Sequence, residues 1–398
     1  MNILILCTYP INSPRHGGQL RVRNITDSYR AAGHHVEVAG VLGGESYEKE
    51  VGFVPFPGIT AISNALEHYF LMEDVAIGAL FNSGANYQNL ANSIKTTPDL
   101  IQVEHPWLFG FAQKLHKEKF SSAKIVYSSH NIEHHLKYEI IATHSGIEAA
   151  ELASSRVKEL ELEAIHGADA ITCVSETDLT WVKEQTTKPV VLAPNGVKPW
   201  NTTEEGRNAA LNITKGHPYV LYCASAHPPN ITGFFDVFGN GFGSLKPDER
   251  LVVAGSASWS IAGDPRIHQS SKLAEKFVIA GVVDEPCLHG LLDAAHCIVL
   301  PITQGGGTNL KTAEALWAGK HIVATHTAMR GFEHFIDSSG VTVADDACAF
   351  KRALRSSMAS PPLALQPDEI DARRSVLWEN CLAPMLELPA LLSDKDIV

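Results

Sequence analysis

The feature that most constrains this chain is a recurrence of short, β-branched apolar runs, each followed by a stretch long enough for a helix. In the first half they fall at 2–7, 35–41, 100–103, 124–128, 170–174 and 190–192. In the second half they fall at 219–223, 251–254, 277–279, 297–300, 321–324 and 341–343. Near-continuous apolar runs of this length suit strands buried on both faces of a parallel sheet. Strands alternating with helices along the whole chain predict an α/β fold with parallel sheets. The series restarts once. After Ala193-Pro-Asn-Gly-Val197 a polar stretch runs from 198 to 216, and a new strand opens at Tyr219. With 398 residues, 45% of them hydrophobic, there is enough material for two cores. The expected division is residues 1–198 plus a returning C-terminal helix within 375–398, and residues 199–374.

Charge narrows the function classes. Thirty-two Lys and Arg against 44 Asp and Glu leave a formal charge of −12, which is no footprint for a nucleic-acid binder. No apolar run approaches the roughly 18–20 residues of a spanning helix. The opening Met1-Asn-Ile-Leu-Ile-Leu-Cys7 has no basic leader and reads as a first strand rather than a signal peptide. The seven cysteines are scattered and form no Cys-x-x-Cys pair, so they read as small buried hydrophobes in a reducing compartment. The expected location is cytoplasmic, with peripheral contact at the inner membrane face left open.

Two strand-to-helix loops carry phosphate-binding chemistry. The first strand leads through Thr8-Tyr-Pro-Ile-Asn-Ser-Pro-Arg-His-Gly-Gly18 into a helix expected at 19–32, with Leu20, Ile25 and Tyr29 on its buried side and Gly33 closing it. Glycines at such a turn let backbone N–H groups approach a ligand, and the helix dipole favours an anion there. The same glycines also suit a plain turn. Neither Gly-x-Gly-x-x-Gly nor a Walker sequence occurs, so a nicotinamide dehydrogenase or P-loop enzyme lacks its main support. The second loop is Pro301-Ile-Thr-Gln-Gly-Gly-Gly-Thr-Asn-Leu-Lys-Thr-Ala-Glu314. Three glycines free the backbone, and Thr308 is expected to cap the helix that follows. Lys311 can set a cation beside a phosphate, and Glu314, three residues on, shares its face. A lysine for a diphosphate and a carboxylate for sugar hydroxyls suit a nucleotide-sugar. An i,i+3 ion pair on a solvated helix fits the spacing equally well.

The stretch from Gly305 to Glu314, continuing through Ala318-Gly-Lys-His-Ile-Val-Ala324, resembles the donor-site signature of the GT-B glycosyltransferases of family 4 (glycosyltransferase group 1). Further stretches match in order: Gly17-Gly18 with Arg21 and Gly33-His-His-Val36, Asp99-Leu-Ile-Gln-Val-Glu-His105, Val174-Ser-Glu176, Ala193-Pro-Asn-Gly-Val197, Gly281-Val-Val-Asp284 and Trp378-Glu-Asn380. Many relatives carry Glu-x7-Glu. Here Glu314 fits the second position and Gly306 stands at the first, so the chain resembles the Gly-Gly-Gly-Thr subgroup. Asn309 stands where that subgroup often has arginine, and the 224–230 loop lacks the Arg and Lys that many relatives aim at the diphosphate.

The resemblance implies a GT-B fold, with two facing Rossmann-like domains, parallel sheets and an interdomain cleft. The N-terminal domain would bind the acceptor and the C-terminal domain the nucleotide-sugar. It implies retaining transfer from a nucleotide-diphosphate-sugar donor to a saccharide or lipid-linked acceptor, with no metal ion and no cofactor, the nucleotide-sugar being a substrate. The catalytic residues it implies are His105, Lys311 and Glu314. The donor-binding residues are Gly17, Gly18, Asn195, Ser225, Val283, Asp284, Gly305, Gly306, Gly307, Thr308, Asn309 and Glu333. The acceptor or cleft residues are His130, Asn131 and Arg21. His105, at a strand's carboxyl end, is expected to have little packing to lose.

Other readings remain open on sequence grounds. An epimerase or hydrolase of nucleotide-sugars, or a non-catalytic binding protein, would share the fold. His130-Asn-Ile-Glu-His134 also fits the His-x-x-Glu-His zinc pattern of one metalloprotease class, but acidic residues downstream, such as Glu159 and Glu161, are too plentiful to identify a third ligand. Its start directly after a strand places His130 in a loop, which counts against that reading. The aromatic Phe234-Phe-Asp-Val-Phe238 reads as a core helix, and the alternating glycines at 239, 241 and 243 as a turn.

Overall fold

The computed structural model describes residues 1–44, 46–65, 72–239, 241–268 and 275–393. The chain forms two compact units, Met1–Pro194 with the tail from Leu382, and Asn195–Cys381.

In the first unit the elements run β1 (Asn2–Cys7), α1 (Gly17–Ala31), β2 (His35–Val41), β3 (Phe53–Val54), α2 (Ile59–Ala65), α3 (Glu73–Phe81), α4 (Gly84–Ser93), β4 (Leu100–Glu104), α5 (Phe109–Lys119), β5 (Lys124–Ser128), α6 (Glu133–Ser145), α7 (Ile147–Gly167), β6 (Ala170–Cys173), α8 (Glu176–Gln185) and β7 (Val190–Leu192). The strands make one sheet in the order β3-β2-β1-β4-β5-β6-β7, every pair parallel. Successive residues of β4 face opposite sides. Ile101 and Val103 join the core that includes Leu4, Leu6, Phe111 and Leu115, while Gln102 and Glu104 share the other face.

The second unit continues with α9 (Glu204–Thr214), β8 (Tyr219–Cys223), α10 (Pro228–Phe238), β9 (Arg250–Ala254), α11 (Ala257–Ala262), α12 (Pro265–His268), β10 (Phe277–Gly281), α13 (Glu285–Ala294), β11 (Cys297–Leu300), α14 (Leu310–Ala318), β12 (His321–Ala324), β13 (Val341–Val343), α15 (Ala347–Ala359), α16 (Pro367–Ala372) and α17 (Trp378–Cys381). Its sheet runs β10-β9-β8-β11-β12-β13, again all parallel. The aromatic run of α10 is core, with Phe234, Phe235 and Phe238 buried, as the sequence suggested. The turn read at 239–243 includes Asn240, which lies outside the described residues.

Three expectations change. The boundaries shift from 198/199 and 374/375 to 194/195 and 381/382, because Val197 bridges to Leu377. The Val197 N–H donates to the Val376 carbonyl at 2.9 Å, and the Trp378 N–H donates to the Val197 carbonyl at 3.1 Å, so both segments belong to the second unit. The single C-terminal helix is a series of short pieces: a 3₁₀ turn (Arg373–Val376), α17, α18 (Ala383–Leu386) and α19 (Leu388–Ser393). Pro384 and Pro389 lack the N–H a continuous helix would need, and each sits at the start of a new piece. Residues 394–398 lie outside the described part. In α1, Leu20 is 40% exposed, and the buried side runs through Gln19, Arg21, Val22, Ile25 and Tyr29.

Among the described residues no helix is long and apolar enough to cross a membrane. All seven cysteines are free thiols, five of them buried, with Cys223 partly buried and Cys348 exposed.

The second unit contains a close helix contact made by glycines. A Cβ built on Gly290 of α13 would lie 2.1 Å from the Gly206 carbonyl oxygen of α9, and one on Gly206 would lie 2.2 Å from the Pro286 oxygen. In a free helix Gly→Ala stabilises by about 1 kcal/mol. Here backbone must move instead. Gly290→Ala should therefore destabilise by about 1–3 kcal/mol. A urea melt decides the sign; a gain in stability would mean that the two helices are not held this close.

Candidate functional site

In the first unit the strand order reverses between β1 and β4, which are sequence-distant but adjacent in the sheet. Ligands of open α/β sheets bind outside the carboxyl ends of strands at such a reversal. His105 stands there, one residue past β4, with a left-handed backbone (φ 64°). That conformation is uncommon for a residue with a side chain and gathers at functional sites. Its N–H donates to the Ser128 carbonyl at 3.0 Å, which ties the turn to the end of β5.

The imidazole is held on both nitrogens. Nδ1 lies 2.8 Å from Oε1 of Glu133, the first residue of α6, and Nε2 lies 3.1 Å from the Tyr9 hydroxyl. Glu133 is buried and also accepts from the Asn131 side-chain amide at 3.0 Å. Burial alone would lower the His105 pKa, but the Glu133 hydrogen bond and charge overcome it and raise it above 6.5. The carboxyl of Glu133 shifts down for the reciprocal reason: burial opposes ionisation, and His105 outweighs it. The expectation that His105 has little packing to lose is therefore corrected. Truncating it would strand a buried carboxylate.

A second chain of hydrogen bonds runs beneath the first. His130 is buried, its ring centroid 3.9 Å from that of His105, and its Nε2 lies 2.5 Å from Oε2 of Glu104. Gln102 donates to the other Glu104 oxygen at 2.6 Å and accepts from the Tyr29 hydroxyl of α1 at 2.8 Å. Burial and the neighbouring His105 charge push His130 down to about 3. It is then the neutral Nε2–H form, donating to an ionised Glu104. Burial works against that ionisation, but His130, Arg21 and Gln102 together hold the Glu104 pKa below its ordinary value. Arg21 is only 1% exposed, and this electrostatic partnership explains why a helix facing the core carries an arginine. Neither His130 nor Arg21 is thus an open contact surface. Asn131 braces Glu133, and Gly17 and Gly18 open α1.

The zinc pattern is not assembled. His130 goes to Glu104, whereas Nδ1 of His134 lies 2.5 Å from Glu161. Glu161, from α7, also accepts the N–H groups of Glu133 and His134 at 2.6 and 3.0 Å, and so caps the start of α6. Among the described residues no group of three or more metal-ligating side chains converges.

In the second unit the order reverses between β8 and β11. The loop after β11 carries Gly305 and Gly307 at φ 121° and 60°, backbone that side chains resist. Gly306 lies between them, exposed. Thr308 does not cap α14. Its hydroxyl accepts the Asn195 N–H at 3.1 Å and its carbonyl accepts the Asn195 side-chain amide at 3.2 Å. Asn309 is the cap, accepting the Lys311 N–H at 3.1 Å. Lys311 reaches across the reversal, its Nζ 3.5 Å from Oδ1 of Asn230, which in turn donates to Ser225 in the loop after β8. Burial lowers the Lys311 pKa, and burial raises Glu314 to about 7, with Lys311 only partly offsetting that rise. Among the described residues no ion pair within 4 Å joins the two, so the surface-pair reading of their spacing is not what forms. Three further predicted residues have local roles or exposure of their own. Asp284 caps α13 by accepting the Cys287 N–H at 3.0 Å, Val283 precedes it half-buried, and Glu333 is exposed on a 3₁₀ turn (Glu333–Phe335).

Sequence reasoning missed Tyr9, Glu133 as the His105 partner, and Asn230. Tyr9 and His105 are 96 positions apart, Asn230 and Lys311 81. Only the strand order brings them together.

Glu314 yields a stability prediction. A carboxyl raised to about 7 in the folded state binds a proton that the unfolded chain, near 4.5, has released. Its contribution to stability is full below about pH 4.5 and is lost as the pH rises through about 7. Glu314→Gln lacks this term. Urea melts should show wild type losing ground to the Gln variant between about pH 5 and about pH 8. A pH-independent difference would mean that Glu314 ionises as freely in the folded protein as in water.

The family model described as Glycosyltransferase Family 4 matches residues 15–200, and the one described as Glycosyl transferases group 1 matches residues 217–360. A search of curated protein sequences finds no match. Among solved structures the chain is similar to sucrose-phosphate synthase from Thermosynechococcus elongatus, with 16% identity, 99% of each chain covered and a TM-score of 0.74. It is similar to HepE of Anabaena in complex with UDP and glucose, with 13% identity, 99% of this chain and 100% of that one covered, and a TM-score of 0.63. It is also similar to the catalytic domain of Arabidopsis thaliana starch synthase IV bound to ADP and acarbose, with 13% identity, 99% and 98% coverage and a TM-score of 0.59. At such identities these structures speak for the fold, which is GT-B. The two sequence matches divide the chain between its two units, and the chain is a glycosyltransferase of the group 1, family 4 kind.

Proposed function

We propose that the enzyme moves a sugar, with retention at the anomeric carbon and without a metal ion or cofactor, from a nucleotide-diphosphate sugar to a hydroxyl of a saccharide or lipid-linked acceptor. The carrying observation is the second unit's strand-order reversal, where Lys311 and Glu314 lie partly buried on one helix face and are not joined as an ion pair. A cation and a carboxylate desolvated in this way lack the partners that a bound ligand would supply. The diphosphate goes to Lys311, to the start of α14 and to the backbone of Gly305–Gly307. Glu314 accepts from ribose hydroxyls. The solved structures of HepE with UDP and glucose, and of starch synthase IV with ADP, support this choice of donor class.

In this reading the bond from the anomeric carbon to the diphosphate breaks, and the acceptor oxygen bonds to that carbon on the same face. The acceptor proton goes to the departing phosphate oxygen. The protein supplies position and positive potential. Lys311 strengthens its interaction as charge builds on the leaving group, whereas the contacts of Glu314 with ribose do not change.

Lys311→Ala should therefore reduce kcat/KM by about 10–150-fold, much of it in kcat, as expected for a charge-assisted contact of about 1.5–3 kcal/mol. Glu314→Ala should mainly weaken the binding of donor and product diphosphate alike. Thermal shifts with UDP, ADP, GDP and their sugars identify the nucleotide, and titration calorimetry of that diphosphate compares the variants. Unchanged affinity in both variants would remove the donor from this helix. Abolition of turnover by thorough chelation, with rescue by divalent ions, would overturn metal independence.

A further inference from the structure

The first unit's network ends at a group that the sequence did not single out. Glu133, His105 and Tyr9 form a line of hydrogen bonds: carboxylate to Nδ1 at 2.8 Å, then Nε2 to hydroxyl at 3.1 Å. Both imidazole nitrogens are thereby used inside the protein. Tyr9 is half-buried, and among the described residues its hydroxyl has no hydrogen-bond partner besides His105. The hydroxyl lies at the start of α1, where a Cβ on Gly18 would come within 2.9 Å of it. Gly18 therefore makes room for Tyr9 at the mouth of the β1–β4 reversal.

We propose that Tyr9, rather than the imidazole of His105, is the catalytic residue that this network presents to the nucleotide-sugar, with Glu133 and His105 as its positioning residues. This rests on the reading of the enzyme as a transferase that uses a nucleotide-sugar. The chemistry follows from proton counting. Glu133 accepts a hydrogen bond from Nδ1–H, and its charge favours the imidazolium. An imidazolium donates from Nε2, so the Tyr9 oxygen is the acceptor and its own hydrogen points away from the network. The phenol becomes a one-way donor, and its ligand is an oxygen acceptor of the nucleotide-sugar, on either the sugar or the diphosphate. The phenol does not itself ionise, because burial and nearby carboxylates raise its pKa well above 10. The groups facing His105 are Tyr9 and His16 from the β1–α1 loop, Asp74 from α3, Glu104 from β4, His130 from the loop after β5, and Glu133 from α6. Two of them, His16 and His130, shift below 6.5, which leaves His105 as the protonated member of the histidine group.

The test uses Tyr9→Phe, which keeps the ring and removes the hydroxyl, and Glu133→Gln, which keeps size and removes the charge. The full-length protein is assayed with UDP-glucose, ADP-glucose and GDP-mannose, each alongside its free nucleoside diphosphate. NMR titration of the His105 ring gives its protonation directly. The expected result is that Tyr9→Phe melts like wild type and loses about 10–100-fold in kcat/KM. Loss of nucleotide-sugar affinity alone would place the acceptor oxygen on the sugar, and equal loss of diphosphate affinity would place it on the diphosphate. Glu133→Gln should lower the His105 titration midpoint and move the alkaline limb of the pH–rate profile down with it, because the imidazolium is the active form. If the imidazole itself meets the ligand, Tyr9→Phe frees Nε2, and activity holds or rises; that outcome overturns the proposal. A His105 midpoint unmoved in Glu133→Gln overturns the positioning roles. Binding of none of these probes by wild type would instead defeat the transferase reading, and Tyr9 with it.

Discussion

The constraint on which the rest of this structure depends is the reversal of strand order in each parallel sheet. A parallel sheet needs a crossover for every strand, and its helices cover both faces. Where successive crossovers turn in opposite directions, two neighbouring strands send their following loops apart and open a crevice at their carboxyl ends. In the first unit those strands are β1 and β4, and in the second β8 and β11. The chemically distinctive residues stand at these ends: Tyr9 and His105 in one unit, Asn230 and Lys311 in the other.

Placing charge at the end of a buried strand has a desolvation cost, and the first unit meets it with local neutralisation. Glu104 lies on the α1 face of β4, fully buried, between His130, Gln102 and Arg21. Glu133 starts α6, and Glu161 from α7 takes the N–H groups that the helix start leaves open. Both carboxylates are thus held by hydrogen bonds and countercharge rather than by water. The left-handed turn at His105 stores strain of about 1–3 kcal/mol. The bonds to Glu133, Tyr9 and Ser128 over-determine that turn, so the strained conformation is the stable one.

The fold was legible in the sequence because a doubly covered strand needs unbroken apolar residues. All twelve expected strands form, with ends that shift by one or two residues at β4, β6, β9 and β10. The strand that escaped notice, β3, has two residues and closes an edge, so it carries no run. The buried side of α1 was misread for a different reason. Periodicity favours apolar Leu20, but this helix buries Arg21 and Tyr29 toward the polar network under it and Gln19 toward the backbone of Pro10 and Arg15. The glycine loop, Lys311 and Glu314 were visible as a local pattern within one segment. Tyr9 with His105, and Asn230 with Lys311, were not, since strand order has no local signature. Glu133 stood in plain view inside a zinc-like pattern that assigned it to the wrong chemistry.

The two units handle charge in opposite ways, and the contrast bears on how each can contribute. In the first, the carboxylates of Glu104, Glu133 and Glu161 already have their donors before any ligand arrives. Groups of that kind hold geometry and need no reorganisation when charge develops nearby. In the second, Lys311 makes one long contact to a neutral amide, and burial shifts Glu314 up to about 7, well above the ordinary carboxylate range. An anion beside Lys311 relieves its desolvation, and hydroxyl donors beside Glu314 favour its ionised form. A ligand that supplies both gains binding energy from groups that are destabilising in its absence. The same two side chains joined as an ion pair would have offered much less, because a ligand would first have to break the pair.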